Sequence, residues 1–548
     1  MTRRSQGLLR GALLAATPLC STLHAQRPLE EWIDAAGLGA HLRFLSSDLL
    51  EGRGVGTRGD ELAQSYLEAQ FRAAGLQPGA ADGSYRQIVP LVGHTSRSLT
   101  PLAIRGANES ALELRWLEDF VAGVDAPVTA GTWKDAEIVF VGYGIEAPEQ
   151  GWDDWKGVDV RGKVLLMLND DPDWDPQLFA GKARLYYGRW TYKYEIAAAK
   201  GAAGALIVHT TPSAGYGWNV VQSSFARERF DLEGDASPRT AIRGWVSEEA
   251  ASRIAELGGA KLAELVAAAR TKEFRPRPLG VTAALELTAE VRPIRSSNVC
   301  AILPGSDPEL ANEWVVLSTH FDHLGRNPAL EGDQIHNGAV DNASGCAGLI
   351  TVARALQATG LRAKRTLCFL AVTAEESGLL GSQHFASSPP IPRERIAACL
   401  NIDSLARFGA AKDVAVIGKG KTELDADVEA IAASFGRTVV GDLEPDKGRF
   451  YRSDQFSFAR VGIPAIYLGP GLNLIGEPEG EGARKVQRWT MQHYHQPSDE
   501  WSESWDLSGA VADLRLFARL VLRVGDRAQA PQWVAGDEFE RLRPRRAK

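Results

Sequence analysis

The sequence has few cysteines and no long apolar run, and each absence excludes a class of protein. Only five of the 548 residues are cysteine, and the four that follow residue 25 are too irregularly spaced for a CxxC metal knuckle or a dense disulfide scaffold. Because these four lie beside apolar neighbours, we expect buried free thiols at Cys300, Cys346, Cys368 and Cys399. No apolar run reaches the ~20 residues that a membrane helix needs, so we expect no membrane span.

An excess of positive charge is also missing. The formal net charge is -8, so the chain lacks the basic surface that nucleic-acid binding requires, and we exclude nucleic acid as a partner. Positive residues cluster only at 538–548, which we expect to form a solvated end. The chain also lacks internal repeats and low-complexity tracts.

The length and composition predict a globular protein of two domains. Hydrophobic residues make up 44% of the chain and charged residues 24%, which is typical of globular proteins. A chain of 548 residues is too long for one core, since single cores stop growing at ~250 to 300 residues.

The first 25 residues have the layout of a signal peptide. A charged start at Arg3 and Arg4 precedes an apolar stretch over 11–19, and a cleavage site follows at Ala25. The bulky Leu19 before Cys20 argues against a lipid anchor. We therefore expect an exported protein, either periplasmic or secreted.

The hydrophobic pattern changes twice along the mature chain. Apolar residues at helical spacing predict two helices within 36–75, whereas 126–280 shows short strands with glycine-rich turns and ends in an Arg/Pro-rich linker at 271–280. Beyond residue 290, strands alternate with amphipathic helices, which predicts a mostly parallel mixed sheet between helices. The predicted domains are an N-terminal part of the larger domain, an inserted smaller β-rich domain, the catalytic domain and a C-terminal tail, at 26–125, 126–280, 281–526 and 527–548.

Polar side chains follow several of the predicted strands, and ligands of open α/β sheets bind at that edge. We expect His320 to bind metal while Asp322 holds its other ring nitrogen, and Asp341 to bridge two cations. The adjacent Glu375 and Glu376 must point in different directions, so one can bind metal while the other faces substrate. Taken singly, each of these residues is equally explained as a helix cap, a turn residue or a hydrogen-bonded surface residue, as are the remaining candidates, Asp403 and His495.

The order of these motifs changes the interpretation. The succession H-x-D, D-N-A-S-G, E-E, N-x-D and Y-H-Q-P-S-D resembles the zinc aminopeptidase and glutamate carboxypeptidase family. The resemblance implies two Zn²⁺ per chain within a mixed sheet sandwiched by helices. It places one zinc on His320, Asp341 and Asp403, and the other on Asp341, Glu376 and His495.

The resemblance extends over nearly all of the mature chain. The segment DLLEGRGVGTRGDELAQSYLEAQF resembles the opening helices of the family, and 126–280 resembles its inserted protease-associated domain. Two positions depart from the pattern. Gln455 stands where relatives commonly have histidine, which puts a substrate-contacting role of that position in doubt, and Val340 replaces a common acidic residue.

The residue types suit peptide hydrolysis. Two Zn²⁺ bring four positive charges, which three carboxylates and a metal-bridging hydroxide would neutralise. Glu375 is not needed as a ligand, so we expect it to act as general base. Tyr451 and Tyr494 are candidates for oxyanion stabilisation, with core or rim packing as the alternative. We assign no role to His323, His336, His384 or His493.

These observations favour an aminopeptidase that acts on peptides. A carboxypeptidase is the alternative, and Arg452 is a candidate for binding a terminal carboxylate there. Two further hypotheses are a non-catalytic receptor, which missing ligands would indicate, and a glutaminyl cyclase, which uses one zinc. The sequence leaves side-chain specificity, oligomeric state and the metal used in the cell open.

Overall fold

The structure is a computed structural model that describes residues 1–2, 27–107 and 109–543. The expected signal peptide and its cleavage site fall on residues outside this description, apart from the first two, and stay a prediction. No helix in the described ranges combines the length and the hydrophobicity that crossing a membrane requires.

The larger unit is built on a mixed sheet with a parallel centre. Its strands lie in the order Thr438–Val440, Asp413–Ile417, Ala465–Gly469, Ile396–Asn401, Trp314–His320, Thr366–Val372 and the last part of Arg277–Leu303. The four strands from Ala465–Gly469 to Thr366–Val372 are mutually parallel. Their carboxyl ends therefore meet at one edge of the sheet.

Helices cover both faces of this sheet, which confirms the predicted fold class. Val315 and Leu317 of one strand belong to a core that also contains Leu349 and Leu520, whereas the intervening Val316 packs in a second core on the opposite face. This alternation follows from the two-residue period of a strand. The larger unit's helices are Ala35–Leu45, Arg58–Ala73, Ser344–Thr359, Leu380–Ser387, Leu424–Ser434, Gln455–Ala459, Glu481–His493 and Ser508–Asp526.

The two predicted N-terminal helices are present and have polar caps. Asp34 accepts a hydrogen bond from the Gly37 N–H before the first helix, and Thr57 accepts one from Asp60 before the second. Such caps satisfy backbone donors that lack a partner within the helix. Both helices bury apolar side chains in the core shared with the sheet.

The smaller unit has its own sheet and its own core. Its strands lie in the order Phe120–Val124, Ile242–Ser247, Gly204–His209, Val164–Leu168, Ala130–Phe140, the first part of Arg277–Leu303, Leu102–Arg105 and Ala111–Leu114. Its helices are Trp190–Ala199, Thr211–Ala214, Trp218–Ala226, Glu248–Leu257 and Leu262–Ala269. The buried side chains of its main core run from Leu102 to Ala289. Its identity as a protease-associated domain, and the predicted boundaries, stay predictions.

A long antiparallel ribbon connects the two units. Strand Arg86–Ser98 pairs residue by residue with 287–299 of the strand Arg277–Leu303. The short strand Arg229–Leu232 pairs with Arg86–Ser98 on its other edge. The remaining short strands are Gln77–Pro78, Glu146–Ala147, Trp152–Asp153, Gly325–Arg326 and Ile335–His336. The single strand Arg277–Leu303 therefore contributes to the sheets of both units.

Three local expectations differ from the structure. The predicted linker at 271–280 ends as strand, because Arg277 and Pro278 pair with the strand Ala130–Phe140. Helix Glu481–His493 was not predicted; it is polar on average and buries only Gly482 fully. The expected solvated end is packed at Phe539, which is 5% exposed in an aromatic cluster.

Candidate metal centre

The predicted site residues meet at the carboxyl edge of the central sheet. His320 ends the strand Trp314–His320, Asp403 follows Ile396–Asn401, and the pair Glu375 and Glu376 follows Thr366–Val372. These three strands are adjacent and parallel. Two further residues reach the same place from outside the sheet, Asp341 in the turn Ala339–Ala343 and His495 just after the helix Glu481–His493.

Asp341 lies between two groups of side chains. Its Oδ1 is 3.2 Å from His320 Nε2, which lies 3.3 Å from Asp403 Oδ1. Its Oδ2 is 3.3 Å from His495 Nε2, which lies 3.1 Å from Glu376 Oε2. Each oxygen of Asp341 thus faces a different histidine and a different second carboxylate.

These spacings fit two tetrahedral metal ions. Zinc bonds to nitrogen and oxygen are ~2.0 to 2.1 Å long, so two ligands of a tetrahedral ion lie ~3.3 to 3.4 Å apart. The four contacts among the five side chains span 3.1 to 3.3 Å. The donor set therefore fits one ion held by His320, Asp341 and Asp403, and a second held by Asp341, Glu376 and His495.

The pKa shifts of Asp341, His320 and His495 show that negative charge is concentrated at the site. Burial acts to raise the pKa of Asp341, but hydrogen bonds with His320 and His495 hold it well below its usual range. Burial acts to lower the pKa of each of these histidines, and the surrounding carboxylates raise both well above the ordinary value. Buried carboxylates are costly unless compensated, and bound cations would supply that compensation.

Glu375 lies beside the first group. Ligand atoms of His320, Glu375 and Asp403 all lie within 4.8 Å of one another, although the close contacts of His320 are with Asp341 and Asp403. Burial raises the pKa of Glu375 well above its usual range, and Glu376 and Asp403 add to the rise while His320 opposes it. Glu375 is thus placed next to the proposed ligands, where a base could act.

Asp322 makes a different contact from the expected one. Its carboxylate accepts hydrogen bonds from the backbone N–H of Glu375, at 3.0 Å, and of Glu376, at 3.3 Å. His320 Nδ1 instead lies within hydrogen-bonding distance of the backbone carbonyl oxygen of Asp322, at 3.2 Å, whereas the Asp322 carboxylate lies 3.9 Å away. Asp322 therefore positions the two glutamates, and burial raises its pKa to about 8.

Asn342 and Asp499 hold the loops of the site; the sequence indicated at most a helix-capping role for Asn342 and none for Asp499. The Asn342 side chain donates to Thr319 and to the Ile402 carbonyl. Asp499 accepts from the backbone N–H groups of Val340, at 2.9 Å, and of Asp341, at 3.2 Å. In the sequence, only their positions within the motifs D-N-A-S-G and Y-H-Q-P-S-D placed these two residues near the site.

Arg53 ties the N-terminal segment to the site. Its buried guanidinium donates to the carbonyl groups of Phe321, Asn337 and Gly338. These carbonyls flank the His320 and Asp341 loops, so one side chain fixes their separation. A single arginine in the EGRG stretch between two predicted helices was the only sign of this role in the sequence.

The three proposed substrate-binding residues have different surroundings. The Tyr451 hydroxyl donates to Glu538 at 2.6 Å within an aromatic cluster, so the structure favours packing for this residue. Tyr494 is 38% exposed and stacks on His495, with ring centroids 3.9 Å apart. Burial acts to lower the pKa of Arg452, but the charges of Tyr494 and Glu375 hold it above its usual value. Gln455 is fully buried, with its amide bonded to Asn401 and Phe450, which leaves it no contact with substrate.

Comparisons with known proteins agree with this architecture. The aminopeptidase from Aneurinibacillus sp. strain AM-1 superposes with a TM-score of 0.50 over 92% of this chain and 96% of its own, at 21% identity, a likeness that shows the fold alone. The chain therefore shares the overall fold of that aminopeptidase. Residues 298–518 match the profile of peptidase family M28.

Sequence relatives match over shorter ranges. A probable zinc metalloprotease of Pyrenophora teres f. teres (strain 0-1) is 35% identical over 113 residues, which are 20% of this chain and 23% of the relative. A probable leucine aminopeptidase 2 of Aspergillus oryzae (strain ATCC 42149 / RIB 40) is 29% identical over 356 residues, 62% of this chain and 58% of the relative. The chain thus spans about a quarter of the first of these relatives and little over half of the second.

Proposed function

We propose that the chain is a zinc-dependent exopeptidase, and specifically an aminopeptidase with two zinc ions per chain. One observation carries the proposal: the two carboxylate oxygens of Asp341 face different histidines. Oδ1 lies 3.2 Å from His320 and Oδ2 lies 3.3 Å from His495. A carboxylate shared in this way is the arrangement that two neighbouring metal ions need. The match of residues 298–518 to the profile of peptidase family M28 supports the same class of activity.

The proposed chemistry assigns separate work to each side chain. When bound, two zinc ions would make water acidic and polarise the scissile carbonyl. Glu375 would take a proton from the attacking water and return it to the leaving amine. Asp322 holds the backbone of Glu375 in place, which orients the carboxylate. Tyr494, stacked on His495, would stabilise the charge that develops on the carbonyl oxygen.

The smaller unit would shape the substrate cleft. Tyr186 of this unit packs on Phe456 of the larger one, with ring centroids 5.0 Å apart, and Glu195 pairs with Arg460 at 3.1 Å. These contacts hold it against the segment that contains Arg452. We also propose that the protein is exported, on the signal-peptide pattern of its first 25 residues.

The experiment combines a metal count with a small substrate panel. We expect about two zinc per chain, together with hydrolysis of Leu- or Ala-nitroanilide that a chelator abolishes and added zinc restores. A count of one zinc would favour a cyclase-type site. Two bound zinc ions without hydrolysis of any peptide would favour the non-catalytic receptor.

A carboxypeptidase remains the second candidate because the positive charges of two arginines, Arg189 and Arg452, act on each other. Arg189 comes from the smaller unit, and burial followed by the positive charge of Arg452 lowers its pKa to about 9. In the described part of the chain, neither guanidinium forms an ion pair with a carboxylate. A substrate carboxylate would satisfy both. N-blocked dipeptides test this alternative, and release of C-terminal residues alone would overturn the aminopeptidase assignment.

A further inference from the structure

His323 is a buried histidine for which the proposed reaction has no use. It is 2% exposed, and its Nδ1 lies 2.7 Å from Glu376 Oε1. Because an ionised carboxylate only accepts hydrogen bonds, the Nδ1 atom carries the proton and donates it. The other oxygen of Glu376 is the one that faces His495, at 3.1 Å.

The distance between His323 Nδ1 and Glu376 Oε1 is shorter than the distances among the five proposed ligands. The four contacts among the five proposed ligands span 3.1 to 3.3 Å, close to the ~3.3 to 3.4 Å edge of a zinc tetrahedron. At 2.7 Å, the pair His323 and Glu376 is too close for two ligands of one ion and has the length of a charge-assisted hydrogen bond. Through Nδ1, His323 is therefore a hydrogen-bond partner of a proposed ligand, and its ligand atom also lies within 4.8 Å of those of Asp341 and Glu376.

The surrounding loops hold the His323 ring at this place. Its backbone N–H donates to the Arg53 carbonyl at 3.3 Å, and its ring lies edge-on to His495 at 5.7 Å. Gly338 has a φ of +55°, and a Cβ there would lie 2.6 Å from the His323 ring. Only glycine leaves room for the imidazole at this point.

We propose that His323 is a positioning residue that selects which oxygen of Glu376 is offered to the second metal ion. With Oε1 held by the imidazole, Oε2 alone points at the position between His495 and Asp341. Without that bond the carboxylate would be free to rotate, and ordering it would oppose metal binding. This inference rests on the proposed two-metal site.

The test measures zinc and cobalt binding to the full chain by calorimetry and by the cobalt absorption spectrum. In His323→Leu, which removes the donor, we expect one of the two resolved sites to lose 10- to 100-fold in affinity, with the other site within about two-fold of wild type. In His323→Asn, whose Nδ2 can take the place of Nδ1, affinity should return to within a few-fold. His384→Leu is the matched control, because that histidine contacts no ligand carboxylate in the described structure.

The outcomes separate this inference from the proposed function. Wild-type protein that binds fewer than two ions contradicts the two-metal site and the inference with it. Two ions with wild-type affinities in His323→Leu overturn the role of His323 alone. Equal loss at both sites in His323→Leu and His323→Asn also overturns it, since a bulk change of structure would produce that pattern. If His323→Leu does not fold, His323→Met, which also has no donor, replaces it under the same criteria.

Discussion

At the scale of single residues, the site is organised by which oxygen of each carboxylate faces which histidine. Asp341 gives one oxygen to His320 and the other to His495, and Glu376 gives one oxygen to His495 and the other to His323. A carboxylate that is fixed at both oxygens loses little further freedom when a cation binds. The geometry is therefore set before any ion arrives.

The adjacent glutamates provide a prediction that separates catalysis from metal binding. Glu375→Gln removes the proposed base but none of the five ligands, so we expect about two zinc per chain and a kcat reduced by a factor on the order of 10² or more. Metal analysis and steady-state kinetics on the same preparation measure both quantities.

The matched control is the same substitution one residue later. Glu376→Gln removes a proposed ligand, so its zinc content should fall to about one per chain. A Glu375→Gln enzyme with a near-wild-type kcat would exclude Glu375 as the base. Loss of zinc from Glu375→Gln would instead make it a ligand.

At the scale of secondary-structure elements, three helices share one hydrogen-bonded histidine. His41, in Ala35–Leu45, lies with its Nδ1 2.8 Å from the Tyr66 hydroxyl and its Nε2 3.1 Å from Arg354. Arginine can only donate, so Nε2 must accept and the imidazole must be neutral. Burial, together with the charge of Arg354, lowers the pKa of His41 to about 4.

This histidine predicts a pH dependence of stability. The unfolded chain protonates His41 near pH 6.5, whereas the folded chain does so near pH 4. Between these values the unfolded state binds more protons, so the free energy of unfolding should fall as the pH decreases from 6.5 towards 4. In His41→Gln, which does not titrate, this fall should be smaller.

Urea unfolding at pH 7.5 and pH 5.0, in chelator so that metal loss does not contribute, measures the difference. His493→Gln serves as the control because His493 lies at the end of a mostly exposed helix, bonded to Ser498. Equal pH dependence in wild type and His41→Gln would show that His41 titrates normally in the folded protein.

At the scale of the whole molecule, the two units are joined by an aromatic junction as well as by the shared strand. Tyr186 of the smaller unit contacts Phe456, which in turn lies 6.1 Å from Phe539 near the C-terminus. Glu538, next to Phe539, accepts from Lys421 and from Tyr451. Residues near the end of the described chain thus pack behind Phe456, the residue that Tyr186 of the smaller unit contacts.

The proposed metal site predicts a stabilisation that depends on zinc. Its ligands come from distant parts of the chain, so the unfolded protein has no preformed site and zinc should bind mainly the folded state. At a free zinc concentration ~100 times Kd, one site adds about 2.7 kcal/mol to the free energy of unfolding. In a unit of more than about 300 residues, that corresponds to a rise in Tm of roughly 4 °C.

Calorimetry of chelator-treated protein, with and without added zinc, measures this rise. Magnesium is the control ion, because it prefers six oxygen ligands over a mixed tetrahedral set. An unchanged Tm on addition of zinc would contradict a preformed zinc site in the folded protein.

The sequence by itself determined the class of fold and the identity of the candidate ligands. Alternating strands and helices encode their period locally, and polar residues placed after apolar strands mark the edge where ligands bind. The prediction that His320, Glu376 and Asp403 meet at that edge was correct in position. Their roles as zinc ligands stay a proposal.

Tertiary structure alone decided how these residues are supported. Asp322 bonds to the backbone of Glu375 instead of the His320 ring, and His323 and Arg53 reach the site through contacts between segments far apart in sequence. Such contacts have no periodic pattern, because they depend on the paths of loops. Sequence spacing therefore identified the residues that could bind metal, and packing of the loops determined which atoms they present.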